Sequence, residues 1–196
     1  MFNKTNNIIL LVVLVFLLIL DIYYVVISHQ VSNEVITSSG VANYKARFVD
    51  LLNNDGIDLS TVEIEDIDSG DYHSVDDIIH KSSDSIIIVC RFSQYSCNQC
   101  VMYAINKCIS ECKGQNVRLL FWGQYVSVNG MKIIRSELGL EEYECYNVPA
   151  RILPIDDKVE PYYFILSNKN IVSHIFIPKV YETTASDDYW SSLLRQ

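Results

Sequence analysis

The chain has 196 residues, 49% of them hydrophobic, and carries 15 lysines and arginines against 24 aspartates and glutamates. This length predicts one domain with a full core plus an additional segment, and it is too short for two ordinary domains. The formal net charge of −9, with the basic residues scattered along the chain, argues against nucleic acid as a partner. Binding to phosphates requires clustered lysine and arginine.

The N-terminal segment is predicted to anchor the chain in a membrane. Ile8 to Leu20 is an unbroken apolar run, and beyond Asp21 the apolar sequence continues to Ile27. The stretch therefore approaches the roughly 20 residues that cross a bilayer. A cleaved signal peptide is the alternative, since Lys4 supplies a basic start, but no small-residue cleavage pattern follows the run. The charge distribution places the N-terminus in the cytoplasm and the remaining chain across the membrane.

The sequence divides into an anchor over residues 1–28, a stalk or helical linker over 29–60 and one domain over 61–196. Within the linker, apolar residues recur at helical spacing before Gly56 ends the pattern. From Thr61, apolar residues alternate with acidic ones, which predicts a β-hairpin followed by a short helix over residues 76–80. The acidic residues lack the spacing of a calcium loop, so they are interpreted as a solvated face.

A strand, a helix and a second strand follow. Residues 85–92 form a continuous apolar run, typical of a strand that is buried on both faces. The next helix is predicted from Cys97 to about Lys113, because Gly114 is a favoured helix-ending residue. Residues 117–122 give a second buried strand. This order predicts two parallel strands joined by a right-handed crossover.

The rest of the chain is predicted to complete an α/β domain. A helix over residues 128–138 is followed by an irregular, proline-containing segment over 143–155. Two strands over 162–166 and 171–177 flank a polar turn and form a hairpin. The chain ends in an amphipathic helix over 186–194.

Cys97 and Cys100 are the candidate reactive residues. Two thiols separated by two residues at the start of a helix can close a small disulfide ring, and the helix dipole favours the thiolate of the first. Cys97 is thus the predicted nucleophile, which attacks a partner disulfide, and Cys100 is the resolving thiol that releases the mixed disulfide. The motif alone is a weak signal, but the strand before it and the helix after it strengthen the prediction.

Two other interpretations of this pair remain open. It could be half of a zinc site, although a second ligand pair is missing and the four histidines, His29, His73, His80 and His174, are dispersed. It could also be a permanent structural disulfide, which suits an exported domain. No metal site is assigned from the sequence.

Three of the other four cysteines are interpreted as small core residues. Cys108 and Cys112 lie on the helix face predicted to pack on the sheet, and their spacing of four is too long for a disulfide between them in a regular helix. Cys90 lies within the buried strand. Cys145 lies in the irregular segment, and the sequence leaves open whether a second disulfide joins it to another cysteine.

The order of elements resembles the thioredoxin-like superfamily, and the anchor and the preceding hairpin resemble its membrane-tethered TlpA-type thiol:disulfide oxidoreductases. The resemblance covers about residues 61–196. It rests on two stretches, Ile86-Ile87-Ile88-Val89-Cys90-Arg91-Phe92 leading to Cys97-Asn98-Gln99-Cys100, and Glu160-Pro161-Tyr162-Tyr163-Phe164 before the final hairpin. It implies a thioredoxin-like fold, with a central mixed β-sheet flanked by helices and an N-terminal β-hairpin extension.

The resemblance also implies roles for particular residues. Pro161 matches the family's cis-proline, which lies beside the reversible disulfide of Cys97 and Cys100 and leaves backbone groups free to pair with a bound peptide. Three neighbours depart from the family pattern and are predicted to modulate the pair. Ser96 replaces an aromatic residue, and Arg91, which faces either the cysteines or solvent, replaces a buried acid. Glu160, before the proline, would raise the pKa of Cys97.

The function implied is that of a membrane-anchored, extracytoplasmic thiol:disulfide oxidoreductase, placed in a bacterial periplasm or at the cell surface. It would exchange disulfides with a protein partner and with an upstream electron donor or acceptor, without a cofactor. Two alternatives stay open: a non-catalytic thioredoxin-like binding or assembly protein braced by a structural disulfide, and a copper metallochaperone that uses the same two thiols.

Overall fold

The structure is a computed structural model that describes residues 54–80 and 86–194. These residues fall within one compact unit that begins at Asp50. The predicted anchor over residues 1–28 and most of the predicted linker over 29–60 lie outside the described part of the chain. Within that part, no helix combines the length and the apolar character needed to span a membrane.

Within the described part of the chain, seven strands form one mixed sheet. They are β1 (Glu63–Asp66), β2 (Tyr72–Ser74), β3 (Ile86–Ser93), β4 (Val117–Gln124), β5 (Glu144–Asn147), β6 (Tyr162–Leu166) and β7 (Val172–Phe176). Their order across the sheet is β2-β1-β5-β4-β3-β6-β7. The three central strands β5, β4 and β3 are parallel, while the hairpins β1–β2 and β6–β7 pair antiparallel at the two edges. The predicted mixed sheet with an N-terminal hairpin is confirmed.

Helices cover both faces of the sheet. They are α1 (Val75–Ile79), α2 (Asn98–Cys112), α3 (Val128–Glu137), α4 (Thr183–Leu194) and a 3₁₀ helix (Pro154–Lys158). Helices α2, α3 and α4 contribute to one hydrophobic cluster, and α1 and the 3₁₀ helix contribute to the other. Successive side chains of β3 point to opposite faces of the sheet and so enter different clusters. Ile87 and Val89 belong to one cluster, and Ile88 and Cys90 belong to the other.

Residues 54–60 belong to the folded domain, so their assignment to the linker is wrong. Leu59 is only 1% exposed and lies in the core. The Asn54 side-chain oxygen accepts a hydrogen bond from the backbone N–H of Ile155 at 3.0 Å, and the N–H of Gly56 donates to the carbonyl of Val172. Both hydrogen bonds join residues more than 100 positions apart in the chain, so no local sequence pattern indicates them.

Part of the segment 143–155, predicted to be irregular, is strand β5. It pairs in parallel with β4, with Cys145 opposite Phe121 and Tyr146 opposite Trp122, and antiparallel with β1. Cys145 and Tyr146 are buried in the two different clusters, so this short strand is covered on both faces. The sequence of β5, ECYN, is neither a run of apolar residues nor a clear alternation, so no pattern predicts a strand there.

Candidate active site

A tight turn carries the chain from β3 to the start of α2. The backbone N–H of Ser96 donates to the carbonyl of Ser93 at 3.0 Å, and the Ser96 hydroxyl accepts from the N–H of Ser93 at 3.2 Å. The two hydroxyl oxygens also lie 3.1 Å apart. Ser96 is buried, and its observed contacts hold the turn that delivers Cys97 to the exposed first turn of α2. The small size of serine suits this position.

Cys97 caps the helix with its sulfur. Its Sγ accepts a hydrogen bond from the backbone N–H of Cys100 at 3.3 Å, and satisfies one of the N–H groups left free at a helix start. Cys97 is exposed and Cys100 is half-buried. Both are free thiols in this structure, which is the dithiol form of the predicted reversible disulfide.

The two thiols differ in their protonation. Hydrogen bonds from the Cys100 thiol, and then from the backbone N–H groups of Cys100 and Gln99, lower the pKa of Cys97 below its usual value. The same hydrogen bond to Cys97, together with partial burial, raises the pKa of Cys100. Charge therefore concentrates on the exposed sulfur while the proton stays on the inner one. This arrangement favours Cys97 as the attacking sulfur.

An ion pair between Glu160 and Lys179 lies near the inner thiol. Lys179 lowers the pKa of Cys100 and Glu160 raises it, both less than the hydrogen bond to Cys97 does. The Lys179 ammonium donates to the Glu160 carboxylate. Glu160 was predicted to raise the pKa of Cys97, whereas its carboxylate raises that of Cys100, where Lys179 opposes it. Lys179 was missed because it follows the last strand and no motif marks it.

Pro161 lies beside the end of β3, but its peptide bond is not cis. The register pairs Tyr162 of β6 with Arg91 of β3, so Pro161 is buried next to the end of β3 that leads to Cys97. Among the described residues every peptide bond is trans, so the predicted cis-proline is wrong. The chain changes direction instead at Val159, whose φ of 57° lies in the left-handed region.

Arg91 points inward rather than to solvent, as one of its two predicted orientations has it, but it lies on the sheet face opposite α2 and so away from the cysteines. The side chain is 1% exposed, and its Nε donates to Asp156 Oδ1 at 3.2 Å. Its Nη2 donates to the carbonyl of Pro149 at 3.0 Å. The strand alternation explains this, because Arg91 shares a face with Val89 while Cys90 faces α2. Asp156 was missed, and no local signal indicates it.

A hollow of about 300 Å³ opens next to the cysteine-bearing turn. It lies at the carboxyl ends of β3, β4 and β5, and its lining includes Gln94 and Tyr95. Tyr95 is exposed and precedes Cys97 by two residues, which places their Cα atoms within about 7 Å of each other. Tyr72, Tyr125 and polar side chains complete the hollow. Its mixed apolar and polar lining can receive a peptide side chain.

The other four cysteines are buried, which confirms the interpretation of Cys90, Cys108 and Cys112 as core residues. Cys90, Cys108 and Cys112 lie in the cluster beneath α2. Cys145 is also a free thiol, so no bridge to it is present, and its Sγ donates to the carbonyl of Leu140 at 3.8 Å. Over residues 54–80 and 86–194, no three histidine, cysteine or acidic side chains are grouped to hold a metal ion.

Solved structures similar to this chain share its fold. A thiol:disulfide interchange protein from Bacteroides sp. has a TM-score of 0.50 at 8% identity, over 72% of this chain and 91% of that one. A protein assigned as the thiol:disulfide interchange protein DsbE of Chlorobium tepidum has a TM-score of 0.50 at 12% identity, over 72% and 98%. The thiol peroxidase from Chromobacterium violaceum has a TM-score of 0.50 at 10% identity, over 72% and 88%.

No protein-family model matches the sequence, and no curated protein is similar to it. At identities this low, the structural likeness shows the fold alone. That fold is thioredoxin-like, so the resemblance inferred from the sequence is confirmed at the level of the fold.

Proposed function

We propose that this protein is a thiol:disulfide oxidoreductase that exchanges disulfides with a protein partner through Cys97 and Cys100. The observation that carries the proposal is the exposed Cys97 sulfur, which accepts the Cys100 N–H at 3.3 Å at the start of α2. The opposite pKa shifts of the two thiols support it, because they separate a nucleophile from a proton-bearing resolving group. The thioredoxin-like fold is consistent with this chemistry.

The exchange proceeds in two steps. The Cys97 thiolate attacks one sulfur of a partner disulfide, which forms a mixed disulfide and releases the other partner sulfur as a thiolate that takes up a proton. Cys100 then loses its proton and attacks the Cys97 sulfur, which frees the second partner thiol and closes the Cys97–Cys100 disulfide. The partner gains two electrons and two protons. An upstream dithiol donor restores the reduced pair, and the reverse sequence oxidises a partner.

The hollow beside Tyr95 is the proposed binding site for the partner chain. It lies within reach of Cys97 and offers aromatic rings together with the side chains of Gln124 and Asn147. A partner with an extended segment around its cysteine could place a neighbouring side chain there while its sulfur contacts Cys97.

Reduction of insulin disulfides by the protein, with dithiothreitol as the electron source, tests the activity. We expect Cys97→Ser to abolish the stimulated rate, because serine cannot form the mixed disulfide. Cys100→Ser should accumulate that mixed disulfide, since the second step is lost. The matched control is Cys145→Ser, which alters a buried thiol outside the pair. An unchanged rate in Cys97→Ser would overturn the proposal.

The reduction potential of the pair separates the alternatives. An exchange enzyme requires a potential near those of cellular dithiols, whereas a structural brace has a potential below about −300 mV. Binding of one Cu(I) ion per reduced protein, lost in the Cys97→Ser/Cys100→Ser variant, would instead favour the metallochaperone. Capture of a partner by that double variant would favour the non-catalytic binding protein.

We also propose that the domain acts outside the cytoplasm, held by the apolar N-terminal segment. The support is the run from Ile8 to Leu20, preceded by Lys4 and followed by Asp21. Protease added to intact bacterial spheroplasts should digest the domain, and a chain without residues 1–28 should leave the membrane fraction. A domain protected from protease until the cells are lysed would contradict the orientation.

A further inference from the structure

Strand pairing places three side chains of the hollow in one row across the sheet. Glu65 of β1 stands opposite Tyr72 of β2 on one side and opposite Asn147 of β5 on the other. Residues that stand opposite each other in neighbouring strands direct their side chains to the same face of the sheet. All three line the hollow beside Tyr95. The N-terminal hairpin therefore contributes a carboxylate and an aromatic ring to the binding site proposed for the partner chain.

The Asn147 side chain holds Glu65 in place. Its Nδ2 donates to Glu65 Oε2 at 3.2 Å, and its Oδ1 accepts from the backbone N–H of Tyr125 at 3.0 Å. Glu65 is half-buried, so its charge is screened less than that of a fully exposed carboxylate. A carboxylate can accept about four hydrogen bonds, and the Asn147 amide supplies one of them. Glu65 thus has acceptor capacity for a ligand.

A buried ion pair supports the hollow from the protein interior. Arg91 Nη2 donates to the carbonyl of Pro149 at 3.0 Å and to Gln124 Oε1 at 3.4 Å, and both of these residues line the hollow. Arg91 is itself paired with Asp156 at 3.2 Å, so its positive charge is balanced within the core. The hollow is therefore held in shape before a partner arrives, which lowers the entropic cost of binding.

Three tyrosines also line the hollow. Tyr72 and Tyr95 are each 66% exposed, so their rings are open to a ligand. Tyr125 is half-buried, and its ring meets that of Phe92 edge to face, with the centroids 6.4 Å apart. The faces of aromatic rings attract cations. Among the described residues that line the hollow, only Glu65 carries a charged side chain, so the lining complements a positive charge.

We propose that the hollow binds an arginine side chain of the partner, carried a few residues from the partner's reactive cysteine. This inference rests on the proposed exchange at Cys97 and deepens it by naming the chemistry of the partner segment. Arginine fits better than lysine, because its planar guanidinium can pair with a carboxylate through two hydrogen bonds and also stack on an aromatic ring. The volume of about 300 Å³ is at the small end of ligand pockets and suits one long side chain.

The position of Tyr95 connects this recognition to the reactive sulfur. Tyr95 lines the hollow and precedes Cys97 by two residues, so a segment bound there keeps the partner's disulfide close to the Cys97 sulfur. Holding two reacting groups close together raises the rate of their reaction. The recognition should therefore be measurable as faster formation of the mixed disulfide between Cys97 and the partner.

Single-turnover reaction of the reduced full-length protein with short peptides tests the proposal. Each peptide carries its one cysteine as a mixed disulfide with thiopyridine, a chromophoric leaving group, and arginine, lysine, glutamine or glutamate at one position on either side of the cysteine. The rate of the Cys97→Ser variant is subtracted. Each rate is then divided by that of the same peptide with free glutathione, which corrects for the reactivity of the peptide itself.

We expect the arginine peptide, at its best position, to react about tenfold or more faster than the glutamine peptide. The lysine peptide should lie between them, and the glutamate peptide should be slowest. Equal rates for arginine and glutamine at every position would overturn this inference and leave the exchange at Cys97 intact. Absence of reaction with every peptide would instead overturn the proposed exchange, and peptide affinity then decides on the hollow alone.

Variants of one strand assign the preference to the hollow. Glu65→Gln removes the charge but keeps an oxygen that Asn147 can bind, and it should reduce the preference for arginine to about threefold or less. Glu65→Lys should invert the preference in favour of the glutamate peptide. Glu63→Gln is the matched control, because Glu63 is an exposed acid of β1 that does not line the hollow. An equal fall in both glutamine variants, or an unchanged preference in Glu65→Gln, would overturn the assignment.

The affinity of the same peptides with serine in place of cysteine separates recognition from exchange. Fluorescence anisotropy of labelled peptides measures it on the full-length protein. The arginine peptide should bind about tenfold more tightly than the glutamine peptide, and Glu65→Gln should remove most of that difference. Equal affinities of the two peptides for the unmodified protein would overturn the inference, whether or not the exchange proceeds.

Discussion

At the level of single residues, the reactivity of Cys97 depends on a neighbour in its own helix. The largest cause of its lowered pKa is the hydrogen bond from the Cys100 thiol, and the backbone N–H groups of the first turn add to it. Helix geometry alone therefore supplies only part of the effect. Removing the Cys100 thiol while keeping its backbone N–H separates the two contributions.

We predict that Cys100→Ala raises the pKa of Cys97, because the strongest donor to its thiolate is lost. The rate of Cys97 alkylation by iodoacetamide, followed on its own peptide, should then reach half its maximum at a higher pH than in the wild-type chain. Asn98→Ala is the matched control, since Asn98 lies between the cysteines while the hydrogen bonds that lower the pKa of Cys97 come from Cys100 and Gln99. An unchanged midpoint would mean that the backbone N–H groups, and not the Cys100 thiol, cause most of the lowering of the Cys97 pKa.

The ion pair beside Cys100 gives a second residue-level prediction. Lys179→Gln should raise the pKa of Cys100 further, and Glu160→Gln should lower it, because each substitution leaves the opposite charge uncompensated. The release of a trapped mixed disulfide, measured against pH, should become slower in the first variant and faster in the second. Added salt should weaken both effects. Shifts in the same direction for both variants would contradict this account.

Local motifs predicted some of these residues and not others. Cys97 and Cys100 were identified because their spacing and the surrounding strand and helix lie in one stretch of sequence. Lys179 acts on the same site from the segment after β7, and Asp156 reaches Arg91 across 65 residues. Such contacts depend on the tertiary fold, so no periodicity or motif predicts them.

At the level of elements, a buried ion pair holds the 3₁₀ helix against β3. Asp156 Oδ1 accepts from Arg91 and from the Tyr162 hydroxyl, at 3.2 and 2.9 Å. Asp156 Oδ2 accepts from the backbone N–H groups of Ile152 and Leu153. One carboxylate thus joins two strands to the segment that precedes β6.

We predict that Asp156→Ala lowers the free energy of unfolding by about 3–5 kcal/mol, because it leaves the Arg91 guanidinium buried without its partner. Denaturant unfolding of the variant measures this. Asp157→Ala is the matched control, because Asp157 pairs with Arg151 on the surface, where both side chains are mostly exposed. Its effect should be below about 1 kcal/mol. Equal losses in the two variants would contradict the assignment.

Among the parallel strands and the helix between them, the longer elements were the ones that the sequence predicted. Strands β3 and β4 have eight residues each and α2 has fifteen, so their apolar patterns are long enough to identify. Strand β5 has four, and only its partners β4 and β1 make it a strand. The sequence therefore predicted the unit that carries the cysteines and missed the strand that joins the hairpin to it.

At the level of the whole molecule, the folded domain begins earlier in the chain than the boundary at residue 61 that the sequence pattern predicts. Leu59 is buried in the hydrophobic cluster to which α1 contributes. The Asn54 side chain accepts a hydrogen bond from the backbone of the 3₁₀ helix. Residues 54–60 therefore act as part of the fold, and the compact unit starts at Asp50.

We predict that a chain beginning at Thr61 is much less stable than one beginning at Asp50. Loss of the buried Leu59 side chain alone costs about 2–5 kcal/mol. The melting temperature should therefore fall by roughly 5–15 °C or more. Calorimetry on the two chains measures the difference, and Leu59→Ala in the longer chain should reproduce much of it. Equal melting temperatures of the two chains would instead support a domain that starts at Thr61, as the sequence predicts.

The central position of β3 has a consequence for folding while the chain is being synthesised. Its neighbour β4 follows closely in the chain, but β6, which covers its other edge, is synthesised some 70 residues later. A nascent chain that has reached Gln124 already contains every cysteine except Cys145, while one edge of β3 is still unpaired. The yield of correctly folded protein should thus depend on whether an oxidant is present during cell-free synthesis or is added after it, because early oxidation can join sulfurs that the finished sheet keeps apart.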